Sequence, residues 1–419
     1  MTDTTRDPSH SPASTGAPAP HVLVLIAIAT VAPVSMNVYL PSLPSMVETF
    51  ESTASQVQLT ISFFVAGLAL FQLVVGPLSD KYGRRPIVVL GMGIYTVGSL
   101  LCLMAVDIET LIMARVVQAL GCCTGLSLGR AIIRDVYDRE HAASMIGYVT
   151  MGMTLGPLAG PLIGGFLQES VGWIGGFYVM AVLGAAVLMT TALYLPETNL
   201  HQHQGEGFRG ILRGYRDVMS KPVFWGYAST AMLTSAVYFC FLGAFPYIAS
   251  QYYDLEPLHV GFYVVFIASG YIIGNGLTGR LAARLGVMRM IILGALLNTL
   301  SIVLAALLIY LVGKSPLDLF LPMFILGIGS GMLLPSALSG AVSALPERVG
   351  AASGLAASMQ FGAGAIFNAI SAWLVSKEMW DGSPWPLIWE MLILSILAGG
   401  AIVFAGHAES RNQQEFDVR

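Results

Sequence analysis

Gly76-Pro-Leu-Ser-Asp80-Lys-Tyr-Gly83-Arg84-Arg85-Pro-Ile-Val-Val-Leu-Gly91 has a counterpart in the same chain, Gly279-Arg-Leu-Ala-Ala283-Arg284-Leu-Gly286-Val-Met-Arg-Met-Ile-Ile-Leu-Gly294. At one constant offset Gly76 meets Gly279, Leu78 meets Leu281, Gly83 meets Gly286 and Gly91 meets Gly294, with Lys81 opposite Arg284. Each copy is a short basic turn between two long apolar runs. The shift carries the first half of the chain onto the second. Two related halves around a pseudo-symmetry axis, with a substrate site between them near the midplane, is a transporter architecture. The first copy keeps Asp80 where the second has Ala283, so the halves have diverged in charge.

Outward from the repeat, apolar runs lie at 22–40, 57–76, 87–106, 111–129, 142–167 and 173–195, then at 223–250, 259–280, 288–312, 317–339, 350–375 and 386–407. A bilayer span needs about 20 apolar residues, so these are twelve spans. Hydrophobic residues make up 55% of the 419 and charged residues 11%, against roughly 25% charge in soluble domains. That composition excludes a large soluble domain. The net charge of −4 implies no nucleic-acid partner. The expected organisation is a disordered tail at 1–20, a six-helix half at 21–195, a linker at 196–222, a second half at 223–408 and a short tail at 409–419.

The positive-inside rule orients this layout. With the first residue inside, seventeen of the 20 Lys and Arg fall on one set of alternate loops, and only Lys314 and Lys377 on the other. A miscounted span would scramble that alternation. Both termini are therefore expected in the cytoplasm. The segment before the first span lacks a basic n-region and a small-residue cleavage site, so that span is expected to be retained. Cys102, Cys122, Cys123 and Cys240 all lie in apolar runs and form no disulfide framework.

At this point the motifs resemble those of the major facilitator superfamily. Gly76 through Arg85 is similar to its signature loop. Gly147 through Gly156-Pro157-Leu-Ala-Gly160-Pro161-Leu-Ile-Gly164-Gly165 resembles the fifth-helix motif of its drug:proton antiporter branch. Arg115-Val-Val-Gln118 resembles the fourth-helix Arg motif, with Ala119 where Gly is usual. Tyr39-Leu-Pro41-Ser-Leu-Pro44, Arg134-Asp135 and Leu195-Pro196-Glu197-Thr198 narrow the resemblance to the bicyclomycin/chloramphenicol-resistance group. It implies an all-α polytopic membrane protein, twelve transmembrane helices in two pseudo-symmetric six-helix halves. It also implies proton-driven drug efflux across a bacterial-type cytoplasmic (inner) membrane by a monomer. One departure stands out: Asn37 occupies the place before Tyr-Leu-Pro where that group carries an Asp, and Asn cannot ionise. The other spans show no acid or His near a midplane.

The candidate residues fall into three sets. The first is a conformational latch. Asp80 can accept hydrogen bonds at a neighbouring helix N-terminus, where the macrodipole favours an anion. Arg84 can pair with Asp135, closing the inner side when the cavity faces out. The second is the run Gly156, Pro157, Gly160 and Gly164, a hinge or a seal, in which small residues let helices approach and Pro bends the helix. The third set holds substrate or coupling candidates: Asn37, Tyr39, Arg115, Gln118, Tyr238, Phe241, Asn275 and Gln360. Arg115 lies near the outer end of its span, where it can snorkel to the interface; deeper, it would be costly and functional. Tyr238 and Phe241, three apart, can share a cavity-facing stripe. Such an apolar, aromatic pocket with a few amides suits a neutral amphipathic drug.

Enzyme-like strings carry little here. Gly125-Leu-Ser127-Leu-Gly129 lies in an apolar run with no strand before it. Gly313-Lys314-Ser315 ends like a P-loop but has Leu308 where Gly is required. His201 and His203 have no further ligands. The expected function is secondary drug efflux without metal or cofactor. Transport of a small polar metabolite is the alternative, favoured by Asn37, and a membrane enzyme is a distant third.

Overall fold

The computed structural model describes residues 19–137, 139–199, 207–313, 315–380 and 382–417. Residues 1–18 of the expected tail, His201, His203 and Lys314 lie outside them. Twelve helices among the described residues are long and apolar enough to cross a membrane. The first six are α1 (Val22–Asn37, extended by a short helix Leu43–Thr49), α2 (Ala54–Tyr82), α3 (Arg84–Leu103), α4 (Ile108–Val136), α5 (Arg139–Met153 and Leu155–Ser170) and α6 (Ile174–Tyr194). The second six are α7 (Pro222–Tyr247), α8 (Pro257–Leu285), α9 (Val287–Leu311), α10 (Pro316–Ser343), α11 (Val349–Leu374) and α12 (Trp385–Asp417).

Both copies of the repeated segment build the same corner. α2 stops and α3 starts at Gly83; α8 stops and α9 starts at Gly286. Their φ values are 97° and 85°, left-handed geometry that glycine adopts without a Cβ penalty. α2 and α8 have 29 residues each, about 43 Å of helix at 1.5 Å per residue. Hydrocarbon accounts for about 30 Å of that. The remainder carries Asp80, Lys81, Arg280 and Arg284 past the apolar region, so these helices outrun the expected limits at 76 and 280. Hydropathy ends where the bilayer ends; helix propensity does not. The two ends of the bundle are called below the basic end, where these corners lie, and the charge-poor end.

Helix starts at the charge-poor end are capped by their own sequence. Thr53 with Gln56, Asp107 with Thr110 and Ser315 with Asp318 form reciprocal capping boxes on α2, α4 and α10. The Asp107 carboxylate accepts from the Thr110 N–H at 2.7 Å, which holds it below the ordinary Asp range. α5 breaks at Thr154, and Pro157 explains why: it has no N–H for the Met153 carbonyl, and its ring crowds that oxygen. Thr154 Oγ1 donates instead to Met151 O at 2.6 Å.

The halves meet through α2 against α11 and α5 against α8. Close contacts fix the charge-poor end. Tyr247 Oη donates to Ala54 O at 2.9 Å, Gln58 Nε2 to Asn368 Oδ1 at 2.7 Å and Leu258 N–H to Glu169 Oε1 at 3.2 Å. A Cβ on Gly165 would stand 2.7 Å from Pro257 O, so the backbones of α5 and α8 nearly touch. At the basic end a connecting helix, Gly207–Met219, lies across the gap within the stretch 196–222. Its Tyr215 Oη donates to Leu73 O of α2 at 3.0 Å, and its Asp217 pairs with Arg348, at the foot of α11, at 3.7 Å. The contacts of Tyr247, Gln58 and Leu258 close the bundle at the charge-poor end, while toward the basic end Arg130, Arg280 and Arg284 are exposed.

Candidate functional site

The cleft between the halves is framed by α4, α7, α8 and α11. Tyr238 on α7, Tyr271 and Asn275 on α8 and Gln360 on α11 are half-buried at mid-depth, and Arg130 on α4 is exposed. Arg130 and Tyr271 belong to opposite halves, yet lie within electrostatic range of each other, as do Tyr271 and Tyr238. Gln360 Nε2 donates to Ser235 Oγ at 2.9 Å and Asn275 Nδ2 to Tyr271 O at 2.9 Å. The wall is therefore aromatic and amide-bearing, with one guanidinium. Arg130 and Tyr271 were missed in the sequence reading. Arg130 counted there as an inner-loop charge, although it stands six residues before the end of a helix that continues to Val136.

Two expected cavity residues lie elsewhere. Phe241 is fully buried; it stacks on Phe245 at 5.0 Å and meets Phe320 of α10 edge-on at 6.1 Å. Residues three apart on a helix differ by about 60° in direction, enough to send Tyr238 to the cleft and Phe241 to the core. Asn37 is also buried, beneath Gly160 of α5, where a Cβ would stand 3.0 Å from its own Cβ. Its Nδ2 donates to Pro33 O at 2.7 Å, and its Oδ1 has no partner.

Tyr39, Arg115 and Gln118 come together inside the first half, away from the cleft. All three are fully buried. Arg115 donates to Ser35 O at 2.9 Å, Tyr39 Oη at 3.3 Å and Gln118 Oε1. Its guanidinium carbon lies 4.0 Å from the Phe64 ring centre and 4.6 Å from that of Tyr39. Gln118 Nε2 passes the network to Ser99 Oγ at 2.7 Å, and Tyr39 Oη meets Thr60 Oγ1 at 3.2 Å. Snorkelling to the interface is thus corrected: seven residues into α4, with Tyr39 and Phe64 beside it, the chain has no path outward. No acidic side chain among the described residues pairs with this cation.

The basic corner of the first half assigns its charges differently from expectation. Glu197, not Asp80, occupies the N-terminus of α3: its carboxylate accepts the Arg84 N–H at 2.9 Å and the Arg85 N–H at 3.2 Å. The turn at Gly83 aims those N–H groups at the segment following α6. Asp80 is more than half exposed and pairs with Arg84 along its own corner. Arg84 Nε also reaches Asp135 Oδ2 at 2.9 Å. Asp80, Arg84 and Asp135 belong to the first half and Glu197 to the segment that follows it, so this pairing joins no group of the second half. We expect Glu197→Gln to lower transport and thermal stability together, because it weakens the anion at a helix start. Asp80→Asn is expected to lower transport at unchanged protein level. Thermal melts of the purified variants beside efflux rates check both, and equal melting losses in the two variants would contradict this division.

The run in α5 faces α1. A Cβ on Gly156 would overlap Pro33, one on Gly164 would overlap Val38 O, and Gly160 sits over Asn37. The next edge of the same helix faces the other half, since a Cβ on Gly261 of α8 would stand 2.5 Å from Pro161 O. Pro157 is half-buried just after the break at Thr154.

Comparison with known proteins agrees with this fold. The chain is 26% identical to a chloramphenicol resistance protein of Pseudomonas aeruginosa, covering 95% of this chain and 93% of that one. It is 25% identical to a bicyclomycin resistance protein homolog of Haemophilus influenzae, over 90% and 94%. The fold superposes on a bacterial homolog of the human lysosomal transporter Spinster, captured inward-facing and occupied, with TM-score 0.70, 17% identity and 93% and 96% coverage. The family model of the Major Facilitator Superfamily matches residues 25–369, and with twelve membrane helices in two halves around a cleft the chain belongs to that family of transporters.

Proposed function

We propose that this transporter exports neutral or weakly acidic amphipathic drugs of the amphenicol type by alternating access, driven by proton inflow. The observation that carries the reading is the cleft wall. Tyr238, Tyr271, Asn275 and Gln360 offer rings and amides, Arg130 offers a cation, and no acid of the described spans lies among them on this wall. Such a wall disfavours organic cations, which need a carboxylate or an aromatic cage, and favours ring-bearing molecules with nitro, amide or hydroxyl groups. The resistance proteins named above support the substrate class. The basic end faces the cytoplasm by the positive-inside rule, so the form described is the inward-open one, and the membrane is the bacterial cytoplasmic membrane. Asn37 supports a second reading, proton-independent exchange of a small polar metabolite.

The test is florfenicol efflux from preloaded cells, with and without an uncoupler. Gradient-dependent efflux above that of cells lacking the protein is the expected result. Efflux indifferent to the uncoupler would favour passive exchange, and no efflux would remove the amphenicol class.

A further inference from the structure

The first span has no acid, yet among the described residues one buried carboxyl lies more than a turn inside a span. Glu390 stands five residues into α12, about 8 Å along the helix from its charge-poor end, and is 8% exposed. Ser371 Oγ of α11 is 2.5 Å from its Oε2, and the Cys240 thiol of α7 lies beside it. Its Oε1 has no hydrogen-bond partner. Among the described side chains, the helices packed on it bring no charge to it. α9 carries only Arg289, at the basic end, and exposed Tyr310; α11 carries no titratable residue; the tyrosines of α7 point to the cleft, to Ala54 and to Glu409. Among the described residues no cation pairs with Glu390. An unpaired carboxylate in such a place is costly.

Hydrogen counting favours the protonated state. Ser371 Oγ lies 2.5 Å from Glu390 Oε2 and 2.8 Å from Phe367 O, but a hydroxyl has one hydrogen. If Glu390 carries a proton, it donates to Ser371, which donates to Phe367 O, and both contacts are bonds. If Glu390 is ionised, Ser371 must turn toward it and give up Phe367.

We propose that Glu390 is the proton-binding site of this transporter, a neutral acid in the form open at the basic end, standing in for the acid that Asn37 replaces. The step is proton transfer alone: with the charge-poor end open, an O–H bond forms on the carboxylate with a proton from water there; the form described still holds that proton, and the bond breaks when the proton passes to water on the basic side. The site is wired to the contact between the halves. One turn before Ser371, Asn368 Oδ1 accepts from Gln58 and Ser62 of α2 at 2.7 and 3.0 Å, and its Nδ2 donates to Phe239 O of α7, next to Cys240, at 3.2 Å. Opening the charge-poor end parts Gln58 from Asn368 and admits water to Glu390. Filling Glu390 restores the run from Glu390 through Ser371 to Phe367 beside that seam.

The inference rests on the proton-driven reading, so the experiment separates the two. Infrared difference spectra of the purified protein titrated with base read the carboxyl band directly, without substrate. The parent is expected to show a protonated-carboxyl band that Glu390→Gln lacks. In proteoliposomes, Glu390→Gln is expected to keep florfenicol counterflow at the parental rate, which shows that it folds, and to lose accumulation driven by a pH gradient. Glu390→Asp restores part of it. Identical spectra in parent and variant, or parental gradient-driven accumulation in Glu390→Gln, would overturn the site. A Glu390-dependent band in a parent that moves no florfenicol would support the site and remove the amphenicol reading.

Discussion

Gly164→Leu is expected to leave almost no functional transporter in the membrane. A Cβ at this position overlaps Val38 O, and Pro41 Cδ is 3.3 Å away. The obstacle is backbone, so no rotamer change in a neighbour relieves it. Nor can α1 retreat easily, because the adjacent Tyr39 is pinned by Thr60 and Arg115. Overpacking a well-filled core typically costs about 1–3 kcal/mol, and more where neighbours cannot shift. That is a large part of a total stability of about 5–15 kcal/mol. Gly160→Ala meets Asn37 Cβ at 3.0 Å and the backbone of Asn37 and Val38 at 3.3 Å, tight contacts but no overlap, and should be milder. Gly93→Ala in α3 meets nothing within 4 Å and should be neutral, or stabilise by about 0.5–1 kcal/mol as Gly→Ala in a helix interior does. Size-exclusion profiles of fluorescent fusions, read with efflux, give the order. If Gly164→Leu matched Gly93→Ala, the close approach of α5 to α1 would be wrong.

What could be read from the sequence was whatever is written along one dimension. Span number, the duplicated corner and the separation into halves follow from apolar run length and from repeats, and neither needs a direction. Facing is different. In a soluble helix a polar face marks the outside, but lipid and protein core are equally apolar, so the two sides of a span such as α7 look alike in sequence. Hence Phe241 was placed beside Tyr238 on the cleft when it lies in the core. Depth failed for a related reason: Arg115 follows Asp107 and Glu109, and that charged approach suggested an interface. Arg130 was assigned to a loop because the sixth residue from a helix end is still helix, but no longer apolar. Glu390 was passed over because it stands near the start of the last apolar run rather than near its middle. A single acid among some twenty uncharged residues was the available signal. Which anion caps α3 depends on where the chain returns after α6, and no local pattern carries that.

Arg115 supplies the other large effect, and two substitutions are expected to separate its packing from its charge. Arg115→Ala removes a side chain wedged between the Phe64 and Tyr39 rings and leaves Ser35 O and Gln118 Oε1 without their donor. A cavity and two orphaned acceptors together cost about 3–5 kcal/mol, so both folded protein and transport should fall. Arg115→Met keeps most of the volume and discards the charge. Nothing acidic pairs with this guanidinium, and its two ring contacts return only about 0.5–2 kcal/mol each. A well-packed apolar replacement for a buried charge is often neutral or stabilising, but Met orphans the same Ser35 O and Gln118 Oε1, so Arg115→Met should melt somewhat below the parent and clearly above Arg115→Ala. Transport, however, should be lost in both variants. A buried, unpaired cation that adds little stability is retained in a bilayer chiefly where it acts. Here Ser35 and Tyr39, at the end of α1, and Gln118 of α4 would lose the charge that orients them as the halves move. Full transport in Arg115→Met would reduce the cluster to packing, while a sharp fall in its melting temperature would mean that the guanidinium contributes more to the fold than its contacts account for.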